Sequence, residues 1–149
     1  MASIDKEIGG TFPNDKVRMM ANLMFTANQI RHTVNMQLKP FGISEQQFNI
    51  LRILRGAGES LSMNTVKNRM IDRSPNATRL ADKLLDKGLI ARERSETDRR
   101  VVFVRITQEG LDLLEQIDEQ DFDTILNHFD NITEGDAKTM SDLLDKMRG

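Results

Sequence analysis

The apolar residues of this chain keep a spacing of three or four almost throughout, and the spacing turns towards two only once, after Gly88, where Val102, Val104 and Ile106 alternate with Val101, Phe103 and Arg105. The first spacing is that of one buried face of a helix, and the second is that of one face of a strand. A chain with this pattern reads as mostly α with one small β-hairpin. No internal repeat, low-complexity tract or linker interrupts it, and Pro13, Pro40, Pro75 and most glycines fall at segment edges. With 149 residues, of which 38% are hydrophobic, the length suits a single domain with one modest core.

The elements follow from caps and stops. A first long helix is expected over 14–38, carrying Val17, Met20, Met24, Ala27, Ile30, Val34 and Leu38, and Pro40 and Gly42 stop it. Ser44 and Gln47 form a capping box for a second helix with Phe48, Leu51 and Leu54 inward, ended by Gly56 and Gly58. Ser62 caps a short third helix with Met63, Val66 and Met70 inward. After a break at Asp72-Arg73, Ser74 and Pro75 supply a cap and a first-turn proline for a fourth helix. That helix buries Ala77, Leu80, Ala81, Leu84 and Leu85 and shows Asn76, Arg79, Lys83 and Lys87 outward. Ala91 to Ser95 then pairs with the alternating run across a basic tip. Thr107 caps a fifth, long helix carrying Leu111, Leu114, Ile117, Phe122, Ile125 and Phe129, and Thr133 with Asp136 opens a last one carrying Ala137, Met140, Leu143, Leu144 and Met147.

Charge divides along the same boundaries. The net charge of -2 argues against a polyanionic partner until it is resolved by segment. Residues 67–105 hold 11 basic and 6 acidic groups, whereas residues 106–149 hold 3 and 12. Two short helices joined by a tight turn and followed by a basic hairpin are the layout of a winged helix-turn-helix. In that layout Ser74, Pro75 and Asn76 begin a helix whose free N–H groups meet phosphates. Asn76, Thr78 and Arg79 can reach base edges, Arg79 being suited to a bidentate contact with guanine. Arg73 and Lys83 flank this face, and an arginine of the hairpin tip can enter the adjacent minor groove.

From Leu51 onwards, and most tightly over residues 81–110, the chain resembles the multiple-antibiotic-resistance regulator (MarR) family of bacterial transcription factors. The resemblance rests on Asp98, Arg100, Val102, Val104, Ile106, Thr107 and Gly110 in the hairpin and beyond, and on Leu84, Lys87, Gly88, Leu89, Ile90 and Arg92 at the exit of the fourth helix. It implies a homodimer in which 14–38 and 107–147 are dimerisation helices and 44–106 is the winged helix-turn-helix, within a single domain 1–149. It further implies a palindromic double-stranded operator, more often repressed than activated. Asp98 would hold Arg100 by a charge-assisted pair, Arg100 or Arg99 would enter the minor groove, and Arg94 would brace the wing or contact phosphate. Many members release DNA on binding a small aromatic or phenolic anion, for which Arg31, His32 and Met36 are the expected pocket residues.

Plainer readings stand beside these. The alternative function is a winged-helix module that binds protein without reading DNA. Asp98 can equally be an ordinary turn residue. His32 and His128 stand alone, so no metal is expected, and no cofactor either. The nine methionines are expected to fill irregular core space, and Asp118, Glu119, Asp121 and Asp123 to form a solvated face. No nucleophile with an orienting base and no phosphate-cradling glycine loop is present, so an enzyme is not expected. The absence of cysteine excludes disulfides, thiolate metal sites and thiol sensing. No secretory signal or apolar run of membrane-spanning length occurs, so the chain is expected in the cytoplasm with no membrane partner.

Overall fold

A short helix, α1 (Ile4–Ile8), precedes the first expected element in the computed structural model, which describes residues 2–73, 76–120 and 129–149. No element was legible before Pro13, because five residues carry no usable period. The helix exists through its contacts: Ile4 is buried, and the Arg18 guanidinium donates to both carboxylate oxygens of Asp5, at 2.8 Å from Nη2. Helix α2 (Asp15–Leu38) starts as expected, Asn14 Oδ1 accepting from the Val17 N–H at 3.0 Å. A 3-10 turn over Lys39–Phe41 follows, and α3 (Glu45–Ala57) opens on the full Ser44–Gln47 capping box. Gly56 lies inside α3 rather than ending it, and Gly58, in the left-handed region at φ 65°, is the stop.

Ser62 caps α4 (Met63–Arg69), accepting from the Thr65 N–H, and it also belongs to a two-residue strand, β1 (Leu61–Ser62). That strand was not expected, since two residues show no alternation. Helix α5 (Ala77–Asp86) leads into β2 (Ile90–Arg94) and β3 (Val102–Ile106). The sheet is antiparallel in the order β1-β3-β2, with Leu61 opposite Val104 and the hairpin in register from Ile90 opposite Ile106 to Arg94 opposite Val102.

Helix α6 (Gln108–Glu119) is capped by Thr107 as expected but is shorter than the sequence suggests. Gln120 is extended (ψ 113°), so the helix does not run on unbroken to Phe129, which is exposed. After Ile117 the run Asp118-Glu119-Gln120-Asp121 offers nothing apolar to bury, and a helix without a buried face is marginal. Phe122, Ile125, Asp121, Asp123 and His128 lie outside the described residues. Helix α7 (Glu134–Arg148) opens on the expected Thr133–Asp136 capping box. The Thr133 hydroxyl and N–H hold the Asp136 carboxyl below the usual carboxylate range.

The core lies between α3, α5, the sheet and α6, with Ile50, Leu51, Leu54, Val66, Leu84, Val104 and Leu114 fully buried. Most of the methionines are not core filler, Met70 and the partly buried Met63 being the ones that pack in or against the core. Met19, Met20, Met24, Met36, Met140 and Met147 are each more than half exposed, and Met70 alone is buried among those described. The six belong to α2 and α7, which have little to pack against in one chain: α2 buries only Leu38, and α7 buries nothing. Among the described residues no helix is long and apolar enough to cross a membrane.

Candidate nucleic-acid interface

Helix α5 divides by period into two faces. Ala77, Ala81 and Leu84 are buried against the core, which turns Thr78, Arg79, Lys83 and Lys87 outward. Asn76 occupies the N-cap position but makes no side-chain capping bond, which leaves its exposed side chain uncommitted. Arg73 is exposed just upstream. The expected cap and first-turn proline, Ser74 and Pro75, lie outside the described residues.

The hairpin tip is shaped by two short polar side chains. Ser95 Oγ accepts from the N–H groups of Thr97 and Asp98 at 3.3 Å each, and the Ser95 N–H donates to the Val101 carbonyl at 3.2 Å. Asp98 Oδ1 accepts from the backbone N–H of Arg100 at 3.0 Å. No ion pair within 4.0 Å joins the Asp98 carboxylate to the Arg100 guanidinium. The bond seen is the one to the backbone, since a carboxylate two residues away reaches the backbone with less ordering of chain than the guanidinium needs. Arg94, Arg99 and Arg100 are exposed.

The wing and α5 share one surface. Arg92 Nη2 approaches Asp82 Oδ1 at 4.0 Å, and a hollow of about 410 Å³ is lined by Thr78 and Asp82 from α5 and by Arg92, Arg100 and Val102 from the hairpin. Thr78 and Arg100 are thus brought together. Asp82 was not singled out in the sequence, and Arg92 entered there only as part of the family pattern; strand alternation puts Arg92 on the same face as Ile90 and Arg94.

Ion pairing is sparser on this surface than elsewhere, although Lys6, Lys16, Lys39, Arg52 and Lys146 outside it also have no acidic partner among the described residues. Among the described residues Arg18, Arg31, Arg55, Lys138 and Arg148 each meet a carboxylate outside the basic segment. Within it only Arg92 and Arg105 do, the latter with Glu93 at 3.1 Å, and Lys87 donates to the Gly42 carbonyl. Lys67, Arg69, Arg73, Arg79, Lys83, Arg94, Arg99 and Arg100 have no acidic partner among the described residues. Unneutralised cations on adjoining elements give a field able to attract a polyanion, which no count over the whole chain reveals.

The three expected pocket residues do not converge. Arg31 pairs with Glu45 at 3.1 Å and lines a hollow of about 210 Å³ with Asn35 and Asp72. His32 faces a different one, beside Phe25 and Phe129, and Met36 lines neither. Consecutive helical positions point about 100° apart, so Arg31 and His32 have to diverge. A more apolar hollow, about 620 Å³, lies instead between α2 and α7 and is lined by Met19, Leu23, Met140, Leu143, Leu144 and Met147.

Comparison with known proteins agrees with this architecture. Residues 43–102 match the profile of the MarR family. The multiple antibiotic resistance protein MarR of Salmonella typhimurium is 31% identical over 132 residues, covering 86% of this chain and 90% of that one. Among solved structures, a mutant MarR from E. coli complexed with operator DNA superposes with a TM-score of 0.76 at 25% identity, over 92% of this chain and 99% of that one. The organohalide-sensing RdhR transcriptional regulator, in its 2,4-dichlorophenol-bound form, shares the fold with a TM-score of 0.79 at 18% identity, over 91% and 80% of the two chains.

Proposed function

The chain belongs to the MarR family of transcriptional regulators, and from that premise we propose that it acts as a homodimeric repressor of a palindromic operator, reading bases with α5 and gripping the backbone with the hairpin. The observation that carries this reading is the set of cations with no acidic partner among the described residues, Arg79 and Lys83 on α5 and Arg94, Arg99 and Arg100 on the hairpin, two elements that share one hollow. Asn76, Thr78 and Arg79 stand on the outward face of α5, the place from which a helix in the major groove reaches base edges. Arg73, Lys83, Arg94, Arg99 and Arg100 supply phosphate and minor-groove contacts around them, while Asp98 shapes the loop that carries the last two. Ser74 and Pro75 are assigned to the start of the same contact by their place in the sequence alone.

Dimerisation is supported by the apolar edges that α2 and α7 leave uncovered, and the excess of acid over 106–149 suits a region held away from DNA. Two copies related by a two-fold axis present two α5 helices to successive major grooves, about 34 to 36 Å apart, which is what a palindrome requires. An operator overlapping a promoter is then blocked by occupancy. A small aromatic or phenolic compound is proposed as the releasing signal, on the analogy of RdhR, whose structure holds 2,4-dichlorophenol. Arg31, His32 and Met36 face separate surroundings, so its site is not built from these three together. No catalytic role is assigned, in line with a family of regulators.

The deciding experiment is a titration of duplexes selected from random DNA, repeated as salt is raised. Log affinity is expected to fall steeply and linearly with log salt, since each phosphate neutralised by Lys or Arg releases condensed counterions. Absent or salt-insensitive binding to every duplex would overturn the reading.

A further inference from the structure

Helix α5 begins without a side-chain cap of its own, and the chain that leads into it is held from another helix. Met70 ends α4 with an extended backbone (φ -68°, ψ 142°), and the next two residues are both tied to α3. The Ile71 N–H donates to Asn49 Oδ1 at 2.9 Å, and Gln46 Nε2 donates to Asp72 Oδ2. Gln46 and Asn49 lie three apart on α3, and hence one above the other on a single face. The clasp holds the backbone and not the side chain: Ile71 is 84% exposed, so no burial of its own fixes this turn. Helix α3 is the rigid partner, with Phe48, Ile50, Leu51 and Leu54 buried around Asn49.

The N-terminal turn of α3 is bonded in the other direction as well. Glu45 accepts from Arg31, and the Glu45 N–H donates to Asn35 Oδ1 at 3.3 Å, both partners lying on α2. One turn of α3 therefore joins α2 to the turn that precedes α5. Packing of Ala77, Ala81 and Leu84 fixes the axis of α5 but not the path by which the chain joins it. A helix that reads bases depends on that path, because its discriminating side chains sit in the first turn, where an error of about 1 Å breaks a hydrogen bond to a base edge but leaves a phosphate contact usable.

We infer that Asn49 is a positioning residue for operator discrimination: by accepting the Ile71 N–H it sets the first turn of α5, so that base reading depends on it while phosphate attraction does not. The inference rests on the DNA-reading function proposed above. It makes no claim of contact between Asn49 and DNA.

The test uses the full chain and two duplexes of equal length, one selected from random DNA by the wild-type protein and one scrambled. Wild type must first prefer the selected duplex; equal binding to both defeats base reading itself, and this inference with it. Given that preference, Asn49→Ala is expected to lower the ratio of the two affinities about three- to tenfold, the scale of one lost hydrogen bond, while scrambled-duplex affinity stays within about twofold. Asn49→Asp keeps the accepting oxygen and is expected to restore the ratio, whatever its added charge does to both affinities together. Gln46→Ala, which cuts the second tie, is expected to lower the same ratio and serves if Asn49→Ala does not fold. An unchanged ratio in the folded alanine variants, a parallel loss on both duplexes, or an Asn49→Asp protein that behaves like Asn49→Ala each overturns the positioning role.

Discussion

A methyl group at position 110 has nowhere to go. A Cβ built on Gly110 meets the Leu89 carbonyl oxygen at 2.3 Å and Ile106 Cγ1 at 2.6 Å, both belonging to the base of the wing. The approach is enforced by Thr107, whose hydroxyl donates to the Gly88 carbonyl at 2.6 Å and accepts from the Gly110 N–H, while its own N–H donates to the Leu89 carbonyl at 3.1 Å. One threonine thus caps α6 and fastens the end of α5 to the end of β3. Gly110→Ala is expected to cost about 1 to 3 kcal/mol, the range for forcing atoms into a filled site, measured as a lower urea midpoint at unchanged slope. Wild-type stability in that variant would show that the wing base yields. The sequence displayed Thr107 as a cap and Gly110 as part of a family pattern, yet the reason for the glycine lies in residues 4 and 21 positions away. Tertiary proximity of that kind has no local signature. Asp98 differs, since both of its readings were open in the sequence and the bond seen is the turn-type one to the Arg100 backbone.

Elements were legible where a cap and a period coincided. Asn14, Ser44, Ser62, Thr107 and Thr133 each accept from the backbone N–H three residues on, so these five starts fall where a short polar side chain had announced them, whereas α1 and α5 begin with no side-chain capping bond. Ends and very short pieces were not legible. Helix α6 stops at Glu119 with no glycine or proline to mark it, and β1 and α1 exist only through partners distant in sequence. The Asp5–Arg18 tie of α1 carries a pH dependence whose sign follows from its cause. The Arg18 hydrogen bond holds the Asp5 carboxyl below its ordinary value of 3.8 and correspondingly raises Arg18. A carboxyl depressed in the folded state contributes stability above its unfolded value and loses it as pH falls through the folded one. Docking of α1 is therefore expected to be constant through neutral and mildly acidic pH and to weaken only below the ordinary carboxylate range. Asp5→Asn is expected to loosen it at neutral pH. Amide hydrogen exchange over residues 4–8 reads both effects, and exchange that ignores both acid and the substitution would remove the tie as the cause of α1.

At the scale of the whole molecule, two features visible in the sequence divide the chain in the same place. The basic excess of residues 67–105 lies on the elements whose arginines mostly have no acidic partner among the described residues, and the acidic excess of residues 106–149 includes α7, the helix that buries nothing. A helix of 15 residues is marginal alone in water, and α7 leaves Met140, Leu143 and Met147 each more than half exposed along one edge, facing the similarly exposed Met19 of α2 across an open groove. This face was read as buried from its period, and the period was sound; what one chain does not hold is the surface that buries it. If a second copy does, as proposed, oligomeric state and DNA affinity are linked, because two tethered reading helices bind a palindrome far more tightly than either alone. Leu143→Asp puts a charge at the centre of that edge, on a residue already 59% exposed, so the single chain has little to lose from it. The substitution is expected to convert dimer to folded monomer by light scattering and to weaken binding to a full palindrome by about 10²-fold or more, while affinity for an isolated half-site changes little. A variant that stays dimeric with wild-type affinity would place the interface elsewhere. One that is monomeric yet still binds the palindrome as tightly as wild type would sever dimerisation from recognition.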